Sequence, residues 1–127
     1  MTVRKRPCTA CPYRLDAPSG VWHPDEYEKL RPYDAETFAQ PPNGFACHAS
    51  PEFLCNGWAI CHTSRGHAYD LLALRFRPVD IPEPTVPLFA SGNEAADHGQ
   101  QNADNPGTNA VVMMNVLSRR HPRIRPS

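Results

Sequence analysis

Fifteen prolines among 127 residues set the first limit on this chain. That is more than twice the average share of about 5%. Each proline fixes φ and removes a backbone donor, so continuous sheet is excluded over most of the length. Hydrophobic residues make up 40% and aromatic residues 9%, enough for one modest core. A single small domain over residues 1–127 is expected, mainly α-helical and otherwise irregular. A core of this size with so much irregular backbone gains greatly from a cross-link.

Four cysteines are placed to supply that cross-link. Cys8 and Cys11 form a C-x-x-C, and Cys47 and Cys55 follow far downstream. The two-residue gap lets the chain turn so that both thiolates reach one ion. Thiolates suit Zn²⁺ or an iron–sulfur cluster. The Cys47–Cys55 spacing is not that of a standard zinc knuckle. A cluster tolerates irregular spacing, and Cys11-Pro12 has the proline that follows a cluster cysteine in some ferredoxins. The expected fold is therefore organised around one four-cysteine metal centre, with Zn²⁺ first and a 4Fe–4S cluster as the alternative. Cys61 reads as a buried or spare thiol.

Histidines offer substitutes. His48 adjoins Cys47, and His62 falls on the helical face that would carry Cys55, so either can replace a thiolate or stand behind one. His23, His67, His98 and His121 carry no comparable signal. A thioredoxin-like site needs a buried strand before its C-x-x-C, and Thr2-Val3-Arg4-Lys5-Arg6-Pro7 is too basic for one. A Cys/His enzyme would use Cys47 or Cys55 with His48 or His62, but no oxyanion-hole motif or third orienting group accompanies them. No catalytic residue is assigned. A closed four-thiolate site leaves no open coordination position, which points away from an enzyme.

The formal net charge is zero, yet its distribution is uneven. Arg4, Lys5, Arg6 and Arg14 make the start basic, and Arg119, Arg120, Arg123 and Arg125 do the same for the end. All thirteen acids lie between them. Such basic segments can contact nucleic acid, and Tyr13 with Arg14 can contact a phosphate. Packing of the basic ends over an acidic body explains the same pattern. No apolar stretch follows the basic N-terminus, so no signal peptide is expected. No run approaches the roughly 20 apolar residues of a membrane span. A cytoplasmic location without membrane contact is expected, where a C-x-x-C more often holds metal than a disulfide.

Residues 1–22 read as an arm bearing Cys8 and Cys11. A short helix is predicted over 24–31, with Pro24 at its first position and Pro32 stopping it. A second is predicted from Ala35 to Ala39, capped by Asp34. Pro41-Pro42-Asn43-Gly44 is a loop. The main helix is predicted after Ser50 as N-cap and Pro51 at N1, carrying Cys55 in its first turns. It runs to about Phe76, with a break near Ser64-Arg65-Gly66, and Leu71, Leu72, Leu74 and Phe76 supply a core stripe. Residues 77–90 form an extended proline-rich segment. Ser91 to Glu94 has capping-box spacing for a helix to about His98. Residues 106–127 form a last helix, opened by Asn105-Pro106, and a basic tail. Val111, Val112, Met114, Val116 and Leu117 are its apolar residues. Trp22 and Trp58 belong in the core.

The ordered set Cys8-Thr9-Ala10-Cys11-Pro12-Tyr13-Arg14, Pro18-Ser19-Gly20-Val21-Trp22, Phe45-Ala46-Cys47-His48 and Cys55-Asn56-Gly57-Trp58 resembles one domain family. It is a family of unknown function from actinobacteria and their phages. Its pattern reads C-x-x-C-P-Y/W-R, P-S/T-G, F-x-C-H and C-x-G-W/F. Val86 to Gly92 and Arg120 to Arg123 are also similar to it, so the resemblance spans nearly the whole chain. It implies Cys8, Cys11, Cys47 and Cys55 as shared cysteines with His48 beside them. Cys61 and Asn56 depart from its pattern. The expected function is a metal-stabilised binding or regulatory protein, of phage-like origin, acting through a protein or nucleic-acid partner. A 4Fe–4S redox sensor is the alternative.

Overall fold

A computed structural model describes residues 2–36, 39–41, 44–66 and 81–117. Among the described residues four α-helices follow in chain order: α1 (Pro24–Glu28), α2 (Asn56–Ser64), α3 (Gly92–Gln101) and α4 (Thr108–Leu117). A 3-10 turn, Arg31–Asp34, follows α1. Among the described residues there is no strand, only isolated bridges. The small, mainly helical and irregular fold is as the proline content predicts.

The bridges stitch the fold together. Leu54 pairs in parallel with Val3 and antiparallel with Ala46. Its amide donates to the Thr2 carbonyl at 2.8 Å, and its carbonyl accepts from Arg4 at 3.0 Å. On the other side, Cys47 N donates to Phe53 O at 2.9 Å and Cys55 N to Phe45 O at 2.7 Å. Three short segments thus meet on one buried leucine, which is 1% exposed. The proline-rich segment lies along the arm's outer edge. Leu15 N donates to Pro87 O at 3.2 Å and Phe89 N to Tyr13 O at 2.8 Å. Proline keeps its carbonyl, so Pro87 serves an edge pairing as an acceptor.

This stitching corrects the predicted start of the main helix. Ser50 does not cap it. Ser50 to Phe53 closes a turn, with Phe53 N donating to Ser50 O at 2.9 Å. The backbone groups of 53–55 are committed to the bridges, so α2 opens only at Asn56 with Cys55 as N-cap. The helix ends at Ser64, and Gly66 follows at φ 84°, where the break was expected. The stripe Leu71, Leu72, Leu74 and Phe76 lies outside the described residues.

Helix α1 also ends earlier than predicted, at Glu28. Pro32 sits inside the 3-10 turn, where its missing donor is no loss. Asp34 is not the cap of a local helix over 35–39, a segment only partly described. Its carboxylate instead reaches across the fold to α3, accepting from Gly92 N at 2.6 Å and Asn93 N at 2.7 Å. Ser91 Oγ accepts from Glu94 N at 3.1 Å, as the capping-box spacing predicts. Three first-turn amides of α3 are therefore satisfied, two of them from a distant segment.

Small residues let α1 and α3 pack closely. Ala95, Ala96 and Gly99 are buried, and a methyl group at Gly99 would overlap the Tyr27 ring. Arg31 then binds Glu28 at 2.8 Å and Asp97 at 2.9 Å. In α4 only Ala110 and Met114 are buried, while Val112 and Val116 are exposed. Trp22 and Trp58 are both 1% exposed in the core. The tail beyond Leu117 lies outside the described residues.

Candidate metal centre

The bridges at Leu54 place Cys47 and Cys55 on two paired segments, and the arm delivers Cys8 and Cys11 against them. After Pro7 the arm turns, with Cys11 N donating to Cys8 O and Arg14 N to Cys11 O, both at 3.0 Å. All four cysteines are buried. Their side chains are neighbours in succession: Cys47 beside Cys8, Cys8 beside Cys11, and Cys11 beside Cys55. Two pairs remote in sequence thus form one thiol cluster in the core. No cysteine is in a disulfide.

Neighbouring thiols and burial set their protonation. Cys8 is pushed up to about 12, chiefly by neighbouring Cys11, with burial adding to the shift and Cys47 opposing it. Cys11 is raised well above the ordinary thiol value by neighbouring Cys55, then by burial. Cys47 is raised by Cys8, then by burial. Cys8, Cys11 and Cys47 thus resist becoming a lone thiolate in a dry site, the usual effect of burial and like neighbours. No group of three or more His, Cys, Asp or Glu among the described residues closes in metal-holding geometry.

Positive and N–H groups face the cluster. Arg4 Nη1 lies 3.9 Å from Cys47 Sγ. Trp58 N donates to Cys55 Sγ at 3.4 Å, so the sulfur itself caps α2, at the positive end of its macrodipole. Arg14, clamped by both oxygens of Asp16, also feels Cys11 and Cys8, and its already high pKa is raised by all three. Such groups would compensate the negative charge that several thiolates accumulate on a metal.

The helix meets the arm through Gly57. A Cβ there would stand 2.5 Å from Tyr13 Cβ and 3.1 Å from Cys11 Sγ. Asn56 ties the same two segments by donating from Nδ2 to Arg4 O at 2.8 Å. Trp22 Nε1 donates to Ala10 O at 2.7 Å, fixing the C-x-x-C turn from beneath. Gly57 and Trp22 lie in the sequence motifs, whereas the roles of Arg4 and Asn56 had no local signature. Tyr13, offered as a phosphate contact, is instead 1% exposed in the core.

Neither histidine substitute has its observed contacts among the thiols. The His48 ring lies between Trp22, at 4.7 Å between centroids, and Phe45, at 5.6 Å. Its Nε2 stands 3.4 Å from Glu26 Oε1. His62 is buried with Nδ1 2.7 Å from Gln40 Nε2, stacked on Trp58. Cys61 is buried elsewhere and donates to Ala90 O at 3.4 Å. Burial first, and then Asp34, pushes its thiol up to about 11.

Of the N-terminal cations, Arg4 faces the thiols and Arg14 holds Asp16, while Lys5 and Arg6 are exposed. Arg119, Arg120, Arg123 and Arg125 lie outside the described residues. Among the described residues no helix is long and apolar enough to cross a membrane. Neither a search of curated proteins nor a search of solved structures finds a match. The profile of a family of unknown function, DUF6283, does match, and it takes in the arm, both cysteine pairs and the helices described above. On that match, over residues 3–120, the chain belongs to the DUF6283 family.

Proposed function

We propose that Cys8, Cys11, Cys47 and Cys55 hold one structural Zn²⁺, and that the chain is a non-catalytic module acting through a protein partner. The observation that carries this reading is the meeting of two remote cysteine pairs in one buried cluster. Zinc would draw the four sulfurs to a common centre, at a Zn–S distance of about 2.3 Å. A 4Fe–4S cluster would have to open a core closed by Tyr13 and Trp58. Arg4 and Trp58 N would then hydrogen-bond metal thiolates, a role common for groups outside a ligand set.

A protein is favoured over nucleic acid because two of the four N-terminal cations are committed internally. An origin among actinobacteria or their phages, which the motifs suggest, would suit a small host-directed protein in the cytoplasm. The test is metal analysis of protein purified without oxygen. One zinc per chain is expected, lost in Cys47→Ser. A brown protein with stoichiometric iron and sulfide would replace zinc by the cluster and redox sensing. A Cys47→Ser chain with unchanged fold and zinc content would end the four-thiolate reading.

A further inference from the structure

A second candidate site lies beside His48. Glu26, Lys29, Tyr33, Phe45, His48 and Pro41 line a cavity of about 340 Å³. That is the lower end of the range for ligand pockets. Its floor is the carboxylate of Glu26, a residue only 6% exposed. One oxygen faces His48 at 3.4 Å, and the other accepts from Lys29 Nζ at 2.6 Å. Two aromatic rings, Tyr33 and Phe45, flank it at 4.9 Å from each other and nearly perpendicular.

We propose that this cavity binds a primary alkylammonium group, such as a lysine side chain presented by a partner or a free amine. Three observations converge on a cation. A buried carboxylate lines the cavity, paired with an ammonium that a ligand's ammonium can replace. Aromatic faces beside it attract positive charge through their quadrupoles. The site's own cation already marks the position: the Lys29 ammonium sits on Glu26 although its side chain is 54% exposed. Lys29 therefore acts as an internal competitor that an incoming ammonium must displace. The alkyl stem of the ligand would lie against Tyr33 and Pro41. The site shares no side chain with the four thiols, so it extends the interaction reading without resting on the metal.

The test titrates N-acetyl-lysine methylamide into the full-length protein by calorimetry. N-acetyl-norleucine methylamide serves as the uncharged isostere and 1,4-diaminobutane as the free amine. Both amines should bind at least tenfold more tightly than norleucine. Lys29→Met should tighten both at least threefold, because it removes the competitor, and Tyr33→Leu should weaken both. Tighter binding of the lysine amide than of diaminobutane identifies a protein side chain as the source, and the reverse order identifies a free amine. Because Lys29→Met removes a partner of the buried Glu26 carboxylate, a thermal melt first shows that the variant is folded at the titration temperature. Equal binding of norleucine, or Lys29→Met leaving amine affinity unchanged, would overturn the proposal.

Discussion

Replacing Gly57 by alanine tests whether the arm is seated on α2 at the thiols. In an unobstructed helix the change would gain about 1 kcal/mol. Here the new methyl carbon would lie 2.5 Å from Tyr13 Cβ, 3.0 Å from its Cγ and 3.1 Å from Cys11 Sγ. Tyr13 Cβ cannot swing aside as a flexible chain end does, because its ring is buried and 1% exposed. The arm must move away from the helix. Overpacking of this kind costs about 1–3 kcal/mol, and a rigid neighbour places it near or above the top of that range. After the helix gain, a net loss of about 2 kcal/mol is expected. The shift also separates Cys11 from Cys55, and a metal site tolerates only about 0.5 Å of misplacement. Zinc affinity should therefore fall at least tenfold, about 1.4 kcal/mol. Urea unfolding of the metal-loaded protein measures the first effect, and competition with a chromophoric chelator measures the second. Gly107→Ala is the control, since nothing lies within 4 Å of its added carbon. A Gly57→Ala protein as stable and as zinc-retentive as the parent would refute the seating of arm on helix.

Other outcomes follow from named contacts. Zinc content should vanish in Cys47→Ser and survive in Cys61→Ala, because Cys61 bonds Ala90 away from the cluster; metal analysis of both variants decides it. Asp34→Ala leaves the Gly92 and Asn93 amides and Arg65 without their shared carboxylate. That should cost about 2–3 kcal/mol, given charged hydrogen bonds of about 1.5–3 kcal/mol each and partial replacement by water. The melting temperature should drop by about 10 °C in calorimetry. Cys61 has a folded pKa of about 11 above an ordinary 9.0, so the folded state holds its proton more tightly than the unfolded chain. Its contribution is complete below pH 9 and is lost as pH rises through about 11. The difference in urea midpoint between parent and Cys61→Ala should therefore shrink across that window. A constant difference would show that the thiol is not ionising there.

The parts of the fold readable from sequence were those with local physical signatures. Ser91 and Glu94 have capping-box spacing that acts within one turn, and Ser91 Oγ caps the helix by accepting from Glu94 N. Pro24 opens α1 because its ring fits the first helical position. The cysteine pairs, expected to form one metal centre, are all buried but do not close in metal-holding geometry among the described residues. What escaped the sequence was non-local. A bridge one residue long, as at Leu54, has no periodicity to detect, yet it decides where α2 begins. Cysteine is not a usual N-cap, so Cys55 was placed inside a helix that it only caps. Asp34 looked like a cap for the residues after it and caps a helix far along the chain instead. Glu26 read as a first-turn acid favoured by the helix dipole. Its pKa falls to about 2, first through His48 and then Lys29, against the opposing effect of burial, and the contact with His48 is one that no local rule connects.

Both tryptophans touch the turn or helix that carries a thiol. Trp22 holds the Ala10 carbonyl through its indole N–H, and the Trp58 amide rests on Cys55. Sulfur is an efficient quencher of indole emission, and the sulfurs' ionisation and position change when they take up an ion. If the proposed zinc binds there, the molecule would carry an intrinsic optical gauge of its loading. Ultraviolet fluorescence of the unlabelled protein should brighten or dim with each equivalent added and reach a plateau at saturation. Occupancy could then be followed in dilute solution, without a dye and without disturbing the core that generates the signal.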